Sequence, residues 1–194
     1  MKKYIKEFLG DNPIENSDYP KIINERHFER IVKLLENENI IIGGKASKDL
    51  LKIEPTLVNN LKLESPIMTE EIFGPILPII SFEKIEEIVQ IINQKEKPLA
   101  LYLFTNNKKV EEKILKDISF GGGCINDTIM HLASETLPFG GVGNRGIGAY
   151  HGKYGFDTFT HYKSILKKSN LIDMPMRYHK YTDKKMKLVK KFLK

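Results

Sequence analysis

Ile76-Leu77-Pro78-Ile79-Ile80 and Ala100-Leu101-Tyr102-Leu103-Phe104 are short β-rich runs, and a helical stretch from Lys84 to Asn93 lies between them. A second helical stretch, Lys108 to Lys116, leads from the latter run to the apolar Gly122-Gly123-Cys124-Ile125. The order is β-α-β-α-β. Such alternation predicts an α/β fold with a parallel sheet, joined by right-handed β-α-β crossovers whose helices cover its faces. Pro78 cannot donate to a ladder, which restricts its strand to a sheet edge or a strand end.

Working outward toward the N-terminus, Pro55-Thr56-Leu57-Val58 is another short β-rich run, and Ile40-Ile41-Ile42 closed by Gly43-Gly44 reads as a strand end. Phe28, Ile31, Val32 and Leu35 fall at helical spacing, with Glu25, Arg26, Glu29, Arg30 and Lys33 on the other face, so a helix is expected over about residues 24–37. Tyr4, Ile5, Phe8 and Leu9 mark a further helix, which Gly10-Asp11-Asn12-Pro13 stops. Toward the C-terminus seven glycines lie between Gly140 and Gly155, marking a shaped and functional loop.

Composition narrows the class. With 194 residues, 41% hydrophobic and 29% charged, the chain reads as a globular protein of one domain or slightly more. A lone cysteine, Cys124, excludes an internal disulfide and fits a reducing compartment, so a cytoplasmic location is expected. The apolar stretch Ile72 to Ile80, broken by Gly74, Pro75 and Pro78, is far short of the ~20 residues a bilayer span needs. The net charge of +6 is concentrated in residues 161–194, which carry +9, leaving −3 on the first 160. Basic character confined to a tail argues against a nucleic-acid groove on the folded body.

Several motifs fail their context. Gly141-Val142-Gly143-Asn144-Arg145-Gly146 matches GxGxxG, but no β-rich run precedes it and no helix is expected to open from it, so it is not a dinucleotide phosphate loop. Cys124, set among glycines, reads as a small strand residue and not as a nucleophile. The five histidines lack metal-ligand spacing, and no metal site is expected. No GxSxG or Walker sequence is present. What remains is the acidic turn at Glu70-Glu71 and the glycine loop.

Those two segments carry a family resemblance. Ser65-Pro66-Ile67-Met68-Thr69-Glu70-Glu71-Ile72-Phe73-Gly74-Pro75 resembles the Glu-x-Phe-Gly-Pro motif of aldehyde dehydrogenases, and Leu137-Pro138-Phe139-Gly140-Gly141-Val142-Gly143-Asn144 resembles their Pro-Phe-Gly-Gly loop. Asn126-Asp127-Thr128-Ile129-Met130-His131 and Gly148-Ala149-Tyr150-His151-Gly152-Lys153 are similar to the class 3 branch, which includes fatty and aromatic aldehyde dehydrogenases. The tail resembles that branch in Asp173-Met174-Pro175-Met176-Arg177-Tyr178 and Tyr181-Thr182-Asp183-Lys184-Lys185.

The resemblance implies NAD- or NADP-dependent oxidation of aldehydes to carboxylic acids. It places the cofactor domain, the catalytic cysteine and the glutamate base before the matching region, so no catalytic residue is carried over and the cofactor is expected only with a missing N-terminal half. Glu71 is implied to hold the nicotinamide ribose and Phe73 to pack beside the nicotinamide. Ile129 and Leu132, with the wall from Thr136 to Phe139, are implied to line the aldehyde tunnel. His131 and His151 match histidines of the branch and are read as structural.

The expected architecture is therefore part of the catalytic domain over 1–160 and an oligomerisation tail over 161–194, comprising a dimerisation strand and a basic amphipathic end. The expected partners are an aldehyde, and a second copy or a complementing N-terminal half. Neither nucleic acid nor membrane contact by the tail is expected. Alone, the chain is expected to be inactive; the alternative is a non-catalytic oligomerisation or binding module.

Overall fold

The computed structural model describes residues 1–173, 178–180 and 182–192, the last without its side chain. The chain forms two compact units, Met1–Lys95 and Glu96–Lys194.

The first unit opens with helix α1 (Lys2–Leu9), which ends at Gly10 with φ 80°. Helix α2 (Glu25–Lys33) begins where the Asn24 side chain accepts the His27 N–H at 2.9 Å, a cap that satisfies one of the unpaired donors at a helix start. Its apolar stripe works as the spacing predicts, since Phe28 and Ile31 are buried. The helix stops short of the expected residue 37. Residues 34–37 turn instead, and Asn37 takes the left-handed conformation at φ 66°, which asparagine tolerates better than most residues.

Four strands follow: β1 (Asn39–Ile42), β2 (Ala46–Ser47), β3 (Lys52–Ile53) and β4 (Thr56–Asn59). After the short helix α3 (Pro66–Thr69) come strand β5 (Ile76–Pro78) and helix α4 (Ile85–Asn93). The main sheet has the order β1-β4-β5, with β1 antiparallel and β5 parallel to β4. Pro78 ends β5 at the sheet's edge, as its missing donor requires. The β2–β3 hairpin was not legible in the sequence; each of its strands has two residues, too few to show a period. The core packs Phe28, Ile31, Leu34 and Leu35 of α2 and its following turn against Ile53, Val58, Ile67 and Ile76. Thr56, also buried, donates its hydroxyl to Glu54 O at 2.7 Å and accepts the Gly44 N–H at 3.0 Å.

In the second unit, strand β6 (Ala100–Leu103), helix α5 (Lys108–Asp117) and strand β7 (Gly122–Ile125) form a β-α-β unit, with β6 and β7 parallel and Tyr102 opposite Cys124. Ile114 buries the helix's inner face, and Ile118, just past its end, is buried as well. The three-glycine run is a packing requirement: a Cβ at Gly123 would stand 2.0 Å from Leu101 O. Helix α6 (Met130–Ala133) follows, and the glycine loop is tied at its base by Phe139 and Tyr150, which exchange N–H···O bonds of 2.9 Å. The loop makes only a 3₁₀ turn (Gly143–Arg145) before helix α7 (Gly152–Phe159).

The expected single parallel run is thus realised as two parallel segments, β4–β5 and β6–β7, in separate sheets. Residues 160–173 contain no helix or strand, and helix α8 (Asp183–Phe192) carries Lys184, Lys185, Lys187, Lys190 and Lys191. Met174 to Arg177 and Tyr181, used for the tail resemblance, lie outside the described residues. Among the described residues no helix is long and apolar enough to cross a membrane.

Candidate functional site

The acidic turn is set by the packing around it. Lys95 Nζ donates to Leu63 O at 3.3 Å and to Met68 O, tying down the approach to α3. Past the helix, the Glu70 N–H bonds Pro66 O at 3.1 Å, and the chain then extends through Glu71. Arg30, reaching from α2, donates to the Glu70 carboxylate (3.3 Å), to Glu71 O (3.3 Å) and to Ile72 O (2.6 Å). Gly74 lets the turn close on the core, because a Cβ there would stand 2.8 Å from Ile31 Cδ1.

The result is an unusual presentation of two side chains. Glu71 is exposed, and Phe73 is 78% exposed on a backbone of φ 47°. A non-glycine residue held there costs on the order of 1–3 kcal/mol, and leaving a phenylalanine in water forgoes a further ~1.5–3 kcal/mol of burial. Beside the ring lies a cavity of about 520 Å³, lined by Lys21, Ile22, Ile23, His27 and Phe73. The turn thus presents an exposed carboxylate at Glu71 and an exposed aromatic ring at Phe73, the ring bordering a mainly apolar hollow. A second cavity of about 670 Å³ has Arg30, Lys33, Lys62, Ser65 and Glu70 in its wall and includes neither Glu71 nor Phe73.

In the second unit, Ile129 stands before α6 at φ 65°, exposed, and Leu132 is also exposed on that helix. Phe139 is placed differently, in an aromatic cluster with its ring centroid 5.4 Å from Tyr150, 5.9 Å from His131 and 6.1 Å from His151. His151 Nδ1 lies 3.2 Å from Leu137 O, while His131 is buried. The same loop encloses a cavity of about 360 Å³ between Phe139, Tyr150, Ile147 and Phe159. Each unit therefore groups its own predicted residues: Glu71 with Phe73, and Ile129 with Leu132, with Phe139 in the ring cluster.

Arg30, Lys21, Ile23 and His27 were not singled out by sequence. Arg30 is forty residues from the carboxylate it holds, and in the sequence it appears only as one charge on the polar face of a helix.

Known proteins resemble this chain throughout. The aldehyde dehydrogenase family profile matches residues 1–165. Aldehyde dehydrogenase family 3 member H1 of Arabidopsis thaliana is 46% identical over 194 residues, covering 98% of this chain and 40% of its own length. The rat "aldehyde dehydrogenase, dimeric NADP-preferring" is 48% identical over 171 residues, covering 88% of the chain and 38% of its own length. The substrate-bound structure of Staphylococcus aureus AldH superposes with a TM-score of 0.87 at 46% identity, over all of this chain and 42% of that one. The chain thus spans about two fifths of the length of these relatives. By its fold, its acidic turn, its glycine loop and this similarity over nearly its full length, the chain belongs to the aldehyde dehydrogenase family.

Proposed function

We propose that this chain supplies part of the catalytic domain (residues 1–160) and an oligomerisation tail (161–194) of a class 3-like enzyme. That enzyme oxidises fatty or aromatic aldehydes to carboxylic acids with NAD or NADP. The observation that carries the reading is the turn at Glu71 and Phe73, where strained backbone presents an acceptor and an aromatic face beside an apolar hollow.

A nicotinamide cofactor, when bound, would supply the hydride acceptor, and the chain's own residues would hold it. Glu71 would accept hydrogen bonds from the ribose hydroxyls, each worth ~1.5–3 kcal/mol because the acceptor is charged. Phe73 would pack beside the nicotinamide and limit its swing. Ile129 and Leu132 line the aldehyde's path with apolar surface, and Phe139 closes its wall, so that each buried CH₂ of the substrate contributes about 0.8 kcal/mol. On this reading the nucleophilic cysteine and the glutamate base belong to an N-terminal half that these 194 residues do not include, and the residues by themselves do not turn over aldehyde. Cytoplasmic location belongs to the same reading.

The test is NAD- and NADP-dependent oxidation of benzaldehyde and hexanal, by the chain alone and mixed with a polypeptide supplying that half. Activity only in the mixture, with a raised cofactor KM in Glu71→Gln, supports the reading. Turnover by the chain alone that disappears in Cys124→Ala overturns it.

A second reading, a non-catalytic oligomerisation module, draws on a different feature. Phe159, Ile165, Leu166, Leu171 and Ile172 are all exposed, Leu166 and Leu171 each at 95%. Stable self-association without activity in the mixture favours it.

A further inference from the structure

The second unit brings Cys124 and His131 together in a pair for which the cofactor turn has no use. After β7 the chain turns left-handed at Ile129, and the following turn of α6 comes back over the strand. There the His131 ring lies over Gly122, where an added Cβ would stand 3.0 Å from Cδ2. Its Nδ1 is 3.7 Å from Cys124 Sγ. The histidine is 8% exposed, and its Nε2 is buried with no hydrogen-bond partner. Tyr102 presents its edge to the imidazole at 5.7 Å and Phe139 approaches at 5.9 Å, while Cys124 itself is half-buried.

A buried, unpaired polar atom costs about 1–3 kcal/mol, which a purely packing residue would avoid by being apolar. A neutral imidazole carries one proton; with it on Nε2, the Nδ1 lone pair faces the thiol. The thiolate is the nucleophilic form of cysteine, and a base within reach of the thiol proton is the usual means of generating it. The surroundings are aromatic, and the outer face of α6 carries the exposed apolar residues Ile129, Met130 and Leu132.

We propose that Cys124 and His131 form a base-assisted thiol site that is covalently modified by α,β-unsaturated aldehydes. His131 Nδ1 takes the Sγ proton, and the sulfur pair forms a C–S bond to the β-carbon. The C=C π pair moves toward the α-carbon and carbonyl oxygen as an enolate. The proton on Nδ1 then passes to the α-carbon, leaving a saturated thioether aldehyde and a neutral histidine. No electrons are gained or lost overall. The site stands on geometry within one unit and does not depend on the role proposed for Glu71.

The full chain has one cysteine, so an adduct located on that residue by peptide fragmentation is distinguished from adducts on lysines and histidines. The chain is treated with trans-2-nonenal, and the adduct on the peptide holding Cys124 is quantified over time by mass spectrometry. The same chain unfolded in urea is the reference. The folded chain should react at that sulfur about 100-fold faster or more, the lower end of what general-base assistance supplies, and His131→Gln should lose that advantage while Cys124→Ser shows no adduct at position 124. Circular dichroism verifies the variants. Should His131→Gln not fold, the wild-type profile between about pH 7 and 8 decides: there an unassisted thiol gains about tenfold in rate per pH unit, and an assisted one gains less. Labelling no faster than in the unfolded chain, labelling unchanged in folded His131→Gln, or a full tenfold rise per unit overturns the proposal.

Discussion

Arg30 donates to one carboxylate and two backbone carbonyls of the acidic turn, so the geometry at Glu71 and Phe73 depends on a residue outside the motif. Replacing it with methionine leaves those carbonyls without their donor. We expect faster hydrogen exchange of the amides at residues 70–73 and a loss of about 1 kcal/mol in stability, with Arg30→Lys recovering part of the exchange protection. Unchanged exchange in Arg30→Met would show that the turn holds itself. Tyr19 offers a second test. Its hydroxyl donates to Ile53 O at 2.7 Å, and burial, with the nearby Glu54 carboxylate, pushes its pKa up to about 12. The folded protein therefore keeps this proton more tightly than the unfolded chain, whose tyrosine titrates near pH 10. That contribution is complete below about pH 10 and is lost as the pH rises toward about 12. Urea unfolding across this window should show stability falling with pH in the wild type and a shallower fall in Tyr19→Phe. The exposed acidic turn holding Glu71 and Phe73 was marked in the sequence by a short motif. Arg30 was not, because its partners are near only in the folded chain.

Among the elements, the helices were the more legible. The stripe of Phe28, Ile31 and Leu35 predicted the buried face of α2, and Asn24 supplied its cap. It stops early because the bonding tightens to i→i+3 turns from Leu34 onward, closing at a left-handed Asn37, a local change that periodicity does not register. Strands β2 and β3 escaped because pairing partners, not periods, define two-residue strands. At β6–β7 the strands touch so closely that side-chain volume is excluded: a Cβ at Gly123 would meet backbone oxygen at 2.0 Å. Gly123→Ala should therefore disrupt this pair, costing on the order of 3 kcal/mol or more. Amides of 100–103 and 122–125 should lose exchange protection together; retained protection would mean that the strands can separate enough to admit a methyl group. Cys124 shows the same limit of sequence reading. Its place in a strand among glycines was legible, but its contact with His131 required the left-handed turn at Ile129.

Across the whole molecule, Ile147, Phe156, Phe159, Ile165, Leu166, Leu171 and Ile172 each expose more than half of their surface, and apolar side chains left in water favour association where they lie together. Sedimentation of the purified chain should show dimers or larger species at micromolar concentration, and Leu166→Lys with Leu171→Lys should shift them toward monomer. A wild-type monomer would remove the oligomerisation role proposed for 161–194. The sequence by itself determined the family, through two motifs and their order, and the α/β class, through alternating runs. It determined the basic tail as well, through charge counting. These are properties of residues adjacent in the chain, where periodicity and motif spacing are written directly. Only the tertiary structure decided that the parallel strands fall into two separate segments, that Arg30 braces the acidic turn, that Phe73 stands exposed on strained backbone, and that Cys124 meets a buried histidine. Each of those depends on packing between distant residues or on a single dihedral angle, and neither leaves a local pattern in the sequence.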